Sequence, residues 1–302
     1  MATAFVLSGG GSLGAVQVGM LQALTERGET PDLLVGTSAG ALNASYLAGH
    51  GTSRDSLDIL AESWARIRRR DIFPLSPRRQ LLALAGTRES IFSSDRLRAL
   101  VSKNLTYRLL EDAPIPVHVV ATNLLSGEEV LMSTGDAISA VLASTAIPGL
   151  LPAVRRDGLV LVDGGLANNA AISQAVALGA DRIFVLPTGV ACALTAPPAS
   201  PFASAMQALS FLTQQRLIHD VTAFAEHAEL HVLPPLCPLG ISSADFGHAT
   251  ELTERARRAT GSWLDDGGDQ LPHPERFLSL HHHNHGDAPA TLTQPPARPP
   301  GV

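Results

Sequence analysis

Three short stretches carry residue types that can do chemistry together. In the first, the apolar run Leu33-Leu34-Val35 passes into Gly36-Thr37-Ser38-Ala39-Gly40, a Gly-x-Ser-x-Gly pattern followed by an alanine-rich, helix-compatible segment. A strand that hands over to a helix through so tight a turn leaves its serine exposed at the helix N-terminus, where backbone N–H groups favour developing negative charge. In the second, an apolar run ends in Asp163-Gly164-Gly165. A serine hydroxyl is a weak nucleophile and needs an adjacent base. A carboxylate can serve if small neighbours let it approach within hydrogen-bond reach and glycine N–H groups help hold it ionised. In the third, a strand from Ala4 to Leu7 ends in Gly9-Gly10-Gly11-Ser12-Leu13-Gly14, whose successive N–H groups can point at an oxyanion.

Each stretch also has a plainer use. Gly-x-Ser-x-Gly can be a simple turn, and Asp-Gly-Gly can merely close a strand. Gly9, Gly11 and Gly14 formally satisfy the dinucleotide fingerprint G-x-G-x-x-G, but that fingerprint wants an acid at the end of the second strand. Asp32 precedes that strand, and Gly36-Thr37-Ser38 stands at its end. A histidine-completed triad is the other alternative. His219 and His227 fall along a helical stretch, His231 in a strand and His248 before the last helix, none in a loop suited to the role. The run His281-His282-His283-Asn284-His285 has no metal-site spacing and reads as tail.

The elements that must position these residues alternate along the chain. Strands are expected at 4–8, 33–35, 116–122, 159–162, 182–186 and 230–233. Gly127 to Ser133 reads as a hairpin neighbour of the third strand, and Val154 to Arg156 as a hairpin partner of Leu159 to Val162. Helices are expected after Gly14, over 38–47, 54–70, 137–145, 170–178, 202–229 and 248–264. This alternation implies an α/β fold: a central, mostly parallel sheet flanked by helices on both faces, with antiparallel hairpin additions. Ligand sites of such sheets lie at the carboxyl ends of strands, and all three motifs stand at strand ends.

Residues 66–98 differ in character. They hold nine arginines against three acids, a balance of +6 in a chain whose net charge is −6. Apolar residues are interleaved among them. The plain reading is a solvated insertion with a few core anchors; the functional one is a basic-apolar surface that meets an anionic membrane. The acidic whole argues against nucleic acid as a partner. With 45% apolar residues in 302 the chain can build one large core. Cys192 and Cys237 define neither a disulfide framework nor a metal site. No apolar stretch approaches a transmembrane segment and no signal peptide is legible, so a cytoplasmic, reducing setting is expected. One domain is expected over 1–265, with a disordered Pro/His/Gly-rich tail over 266–302.

These motifs, in this order, resemble the patatin-like phospholipases, as do Ala121-Thr122-Asn123, Ala143-Ser144-Thr145-Ala146-Ile147-Pro148-Gly149 and Asn168-Asn169. The likeness runs over about 4–264. It implies a lipid acyl hydrolase that uses a Ser–Asp dyad, with no histidine and no cofactor or metal. By that resemblance Ser38 is the nucleophile, Asp163 the base and Gly9, Gly10 and Gly11 the oxyanion hole, with a phospholipid or related acyl ester as substrate. A non-catalytic lipid- or protein-binding scaffold is the alternative, and a dinucleotide-binding module a more distant one. Many members carry Arg or Lys where Leu13 stands, so Leu13→Arg is expected to be tolerated.

Overall fold

The computed structural model describes residues 1–74, 76–85, 89–194, 196–270 and Leu278. Five strands run parallel: β1 (Thr3–Leu7), β2 (Leu33–Thr37), β3 (Val117–Asn123), β7 (Arg182–Leu186) and β8 (Glu229–Val232). Two hairpins add antiparallel strands, with β4 (Glu129–Met132) and β6 (Leu159–Asp163) both pairing β3, and β5 (Val154–Arg156) pairing β6. Hydrogen-bonded neighbours run β5-β6-β3-β2-β1-β7-β8, with β4 also on β3.

Alternation along the strands sends side chains to two cores, one on each face. Phe5, Leu7, Leu34, Phe184 and Leu186 join the core shared with α1 (Gly14–Thr25), α2 (Ala39–His50), α3 (Arg54–Arg66), α7 (Ala137–Ser144) and α10 (Ala249–Asp265). Ala4, Val6, Val35, Ile183 and Val185 face α8 (Ile172–Ala177) and α9 (Pro201–Phe224). The expected α/β architecture is therefore present.

Two helices depart from expectation. The helix from Arg54 stops at Arg66, because Ile67 turns to extended backbone and drops into the core; a short turn, α4 (Arg69–Ile72), follows. The long α9 ends at Phe224, five residues early. The basic stretch continues through α5 (Pro77–Leu84) to α6 (Asp95–Asn104). Its apolar residues Ile67, Ile72, Phe73, Phe92 and Leu97 are buried, while Arg68, Arg69 and Arg70 are exposed. Order also does not stop at Asp265. A 3-10 turn covers Gly268–Gln270, and Leu278 is buried against α9, its carbonyl accepting from Gln214 Nε2 at 2.6 Å. Residues 271–277 and 279–302, with the His281–His285 run, lie outside the described residues. The loops after β7 and β8 bring Cys192 and Cys237 together, their Sγ atoms 4.0 Å apart, a proximity their spacing did not suggest.

Candidate active site

The strand register explains how a serine and an aspartate 125 residues apart come to touch. Val120 of β3 is flanked by Thr37 of β2 and Leu131 of β4; the next residue, Ala121, is flanked by Val130 of β4 and Asp163 of β6. A strand has two edges, and β4 occupies one of them over Val119–Thr122, across the point where β2 ends and β6 begins. So β2 and β6 share the other, running toward each other and meeting at their carboxyl ends. Ser38 follows the last residue of β2 and Asp163 is the last of β6. The Ser38 Oγ–H donates to Asp163 Oδ2 at 2.6 Å.

Ser38 holds a strained backbone, φ +53° and ψ −119°, a conformation that costs a non-glycine residue roughly 1–3 kcal/mol. The surroundings over-determine it. Its N–H donates to Ser144 Oγ at 2.8 Å, and that fully buried hydroxyl donates onward to the Val120 carbonyl at 2.5 Å. Helix α2 starts hard against the end of β1: a Cβ on Gly40 would lie 2.1 Å from the Leu7 carbonyl oxygen. The glycine two residues after the serine is therefore a packing requirement.

Asp163 is 5% exposed. Burial pushes its carboxyl up from 3.8 to about 6, against the opposing pull of hydrogen bonds from Ser38 and from the Gly165 N–H at 2.8 Å. The glycine turn thus supplies the expected N–H, but desolvation outweighs it. At pH 7 the group is still largely ionised, and its basicity lies close to the pH at which it would work.

The glycine loop is clamped from three sides. The Gly9 N–H donates to the Asn169 carbonyl at 3.2 Å, so Gly9 is already committed and the expected donor set narrows. The Gly9 carbonyl accepts from Thr188 Oγ1 at 2.8 Å. The Ser12 N–H donates to the Ser243 carbonyl at 2.9 Å. Among the described residues, the N–H groups of Gly10 and Gly11 meet no protein acceptor, nor do those of Ala39 and Gly40 in the first turn of α2. Leu13 is 1% exposed and part of the core. An arginine there would have to bury its charge or reach past the core, which counts against the expected tolerance.

Beside Ser38 lies an apolar cavity of about 40 Å³, walled by Leu42, Trp64, Ile67, Ile72, Phe73 and Phe246. Leu42, Trp64 and Ile67 also wall a second cavity of similar size that reaches Leu100 and Val101 of α6. The buried face of the basic stretch therefore forms the wall of this pocket. Trp64 is fixed by a chain of buried amides. Its Nε1–H donates to Asn43 Oδ1 at 2.8 Å, Asn43 Nδ2 to Gln17 Oε1 at 2.8 Å, and Gln17 Nε2 to the carbonyls of Ser8 and Leu186 at 2.8 and 2.9 Å.

Other expected alternatives fall elsewhere. Asp32 sits at the amino end of β2, accepting the Thr3 N–H, far from where a ribose-binding acid belongs. His231 meets Glu229 and the Asp269 carbonyl, and His248 meets Asp245 and Glu251; neither touches the Ser–Asp pair. Among the described residues, no group of three or more His, Cys, Asp or Glu side chains is placed to hold a metal ion, and no helix is long and apolar enough to cross a membrane. Ser144 and Asn169 stand in stretches that the resemblance marked without assigning them a role, and Thr188 was not foreseen at all. Contacts between segments far apart in the chain bring Ser144 to Ser38 and Thr188 to Gly9.

Residues 5–176 match the family model described as patatin-like phospholipase. The chain belongs to this family. Among similar proteins, the patatin-like phospholipase domain-containing protein 7 of Mus musculus is 30% identical over 190 residues, covering 62% of this chain and 14% of that protein. An uncharacterised NTE family protein of Mycobacterium tuberculosis is 29% identical over 221 residues, covering 73% of this chain and 58% of its own length. The chain thus spans only part of these relatives. Among solved structures, human GIVD cytosolic phospholipase A2 bound to methyl gamma-linolenyl fluorophosphonate aligns with a TM-score of 0.47 and 15% identity, over 87% of this chain and 58% of that one.

Proposed function

We propose that this patatin-like chain is a serine esterase that cleaves acyl esters of phospholipids or related lipids. The observation that carries the reading is the 2.6 Å hydrogen bond from the strained Ser38 hydroxyl to the buried carboxylate of Asp163. Asp163 takes the Ser38 proton as Oγ bonds to the ester carbonyl carbon. The carbonyl oxygen becomes an oxyanion held by the N–H groups of Gly10 and Gly11 and by the first turn of α2. Collapse expels the leaving alkoxide, which takes the proton from Asp163 and leaves an acyl-enzyme. Water then gives a proton to Asp163 and attacks the acyl carbon, and collapse releases the fatty acid as the leaving Ser38 Oγ takes that proton back from Asp163. The apolar cavity between α2, α3 and α4 suits the acyl chain, each buried methylene contributing about 0.8 kcal/mol.

A fluorophosphonate probe should label the protein at Ser38. Ser38→Ala should abolish both labelling and hydrolysis of p-nitrophenyl hexanoate with an unchanged far-UV spectrum. Labelling at another residue, or wild-type turnover by Ser38→Ala, would refute the reading. The scaffold alternative predicts no turnover by wild type at all.

A further inference from the structure

Thr188 lies beyond residues 5–176, the span of the family match, yet it touches the glycine loop at its centre. It is 2% exposed and stands in the segment that follows β7. Its N–H donates to Ser8 Oγ at 3.0 Å, and its Oγ1–H to the Gly9 carbonyl at 2.8 Å. That carbonyl has two further donors, both longer: Ser8 Oγ at 3.3 Å and Asn169 Nδ2 at 3.4 Å. The Gly9 N–H is spent on the Asn169 carbonyl.

The direction of the Thr188 bond has a consequence one atom further along the chain. The peptide between Gly9 and Gly10 is trans and planar, so its carbonyl and the Gly10 N–H point opposite ways. Strand β1 lies between β7 on one edge and β2 on the other. Drawing the Gly9 carbonyl to Thr188 on the β7 side therefore turns the Gly10 N–H toward the β2 side. Ser38 stands there: a Cβ on Gly9 would come 3.0 Å from Ser38 Cβ. Among the described residues that N–H meets no protein acceptor. The held peptide thus keeps one donor aimed and unspent, as preorganised stabilisation of an oxyanion requires. Without that hold, a run of three glycines could turn the peptide plane and the donor with it.

Resting on the proposed esterase function, we infer that Thr188 is a positioning residue for the oxyanion hole. Its hydroxyl locks the Gly9–Gly10 peptide plane and so aims the Gly10 N–H at the carbonyl oxygen of the ester that Ser38 attacks. Thr188 itself touches no reacting atom. Its effect belongs to charge that develops only during attack, so it acts on kcat and leaves ground-state binding alone.

The test uses substitutions at Thr188 and one inhibitor. Thr188→Val keeps the side-chain shape but puts a methyl group where the donor stood. Its kcat on p-nitrophenyl hexanoate should fall about tenfold or more, with KM nearly unchanged. Thr188→Ser restores the hydroxyl and should recover most of the rate. A hexyl trifluoromethyl ketone, which forms a hemiketal on Ser38, should bind Thr188→Val more weakly by the factor lost in kcat. With its carbonyl carbon labelled for NMR, the hemiketal hydroxyl should ionise at a higher pH than in wild type. Thermal melts record the packing cost separately. A Thr188→Val enzyme that melts lower yet keeps its kcat would make Thr188 a structural clamp and overturn the inference. So would a loss that Thr188→Ser fails to recover, or one carried by KM. Should the valine variant not fold, Thr188→Cys, a weak donor of similar shape, should still lower kcat, and a wild-type kcat there would overturn the inference. The two levels separate cleanly. Wild type with no turnover and no hemiketal at Ser38 refutes the esterase reading, whereas an active wild type indifferent to Thr188 refutes only the positioning role.

Discussion

Asp163 sets opposing demands on stability and chemistry. Its carboxyl titrates near 6 in the folded chain and near 3.8 when unfolded. Below pH 4 both states hold the proton. Between 4 and 6 only the folded state does, so stability falls as pH rises, and above 6 the cost is complete at roughly 3 kcal/mol. Asp163→Asn should therefore melt higher than wild type at pH 7.5, with the gain closing at pH 4, as read by thermal denaturation at both. The same variant should lose about 10²–10⁴-fold in kcat, and the wild-type rate should decline below about pH 6. Ser144→Ala removes the partner of the Ser38 N–H and should lower kcat while leaving KM nearly unchanged, measured on the p-nitrophenyl ester. Gly10→Ala would place a Cβ 2.0 Å from Thr188 Oγ1; the loop must shift, and loss of one oxyanion donor typically costs about 10²–10³-fold in kcat.

At the scale of elements, the strands were legible because apolar runs bounded by glycine and proline mark them without reference to the rest of the chain. The nucleophile turn, the aspartate and the glycine loop were legible for the same reason, each being complete within six residues. What was not legible is relational. That β6 continues the edge that β2 leaves depends on pairing partners that lie 83 residues apart between β2 and β3 and 38 to 42 apart between β3 and β6. The commitment of the Gly9 N–H to Asn169 and the burial of Leu13 likewise depend on segments far along the chain. Local pattern suggested core anchors in the arginine-rich stretch but could not tell that Ile67, Ile72, Phe73 and Leu97 wall a pocket beside Ser38. The amide chain through Asn43 joins α1, α2 and α3. Asn43→Ala strands the Trp64 N–H and the Gln17 oxygen, so stability should fall by roughly 2–5 kcal/mol in urea denaturation.

For the whole molecule, the three motifs all fall within residues 5–176, the span of the family match, yet the site does not end there. Strand β1 is hydrogen-bonded to β7 as well as β2. Thr188 and the Ser243 carbonyl hold the glycine loop from later in the chain. Thr253 of α10 bonds the Ala15 carbonyl of α1. A chain cut after 176 keeps every motif but bares an edge of β1 and the apolar face of α1. It should show no cooperative thermal transition and no esterase activity, whereas a chain ending at 278 should retain both.

The position of Trp64 has an optical consequence. The chain contains two tryptophans, and only Trp64 stands in the wall beside Ser38. Its indole is locked to Asn43 in dry surroundings, which should give a blue-shifted, weakly quenchable emission. A bromine on an acyl chain entering the slot would quench that emission by direct contact, while Trp263 in α10 would keep its own. The fold thus carries a built-in fluorescent reporter of the acyl pocket.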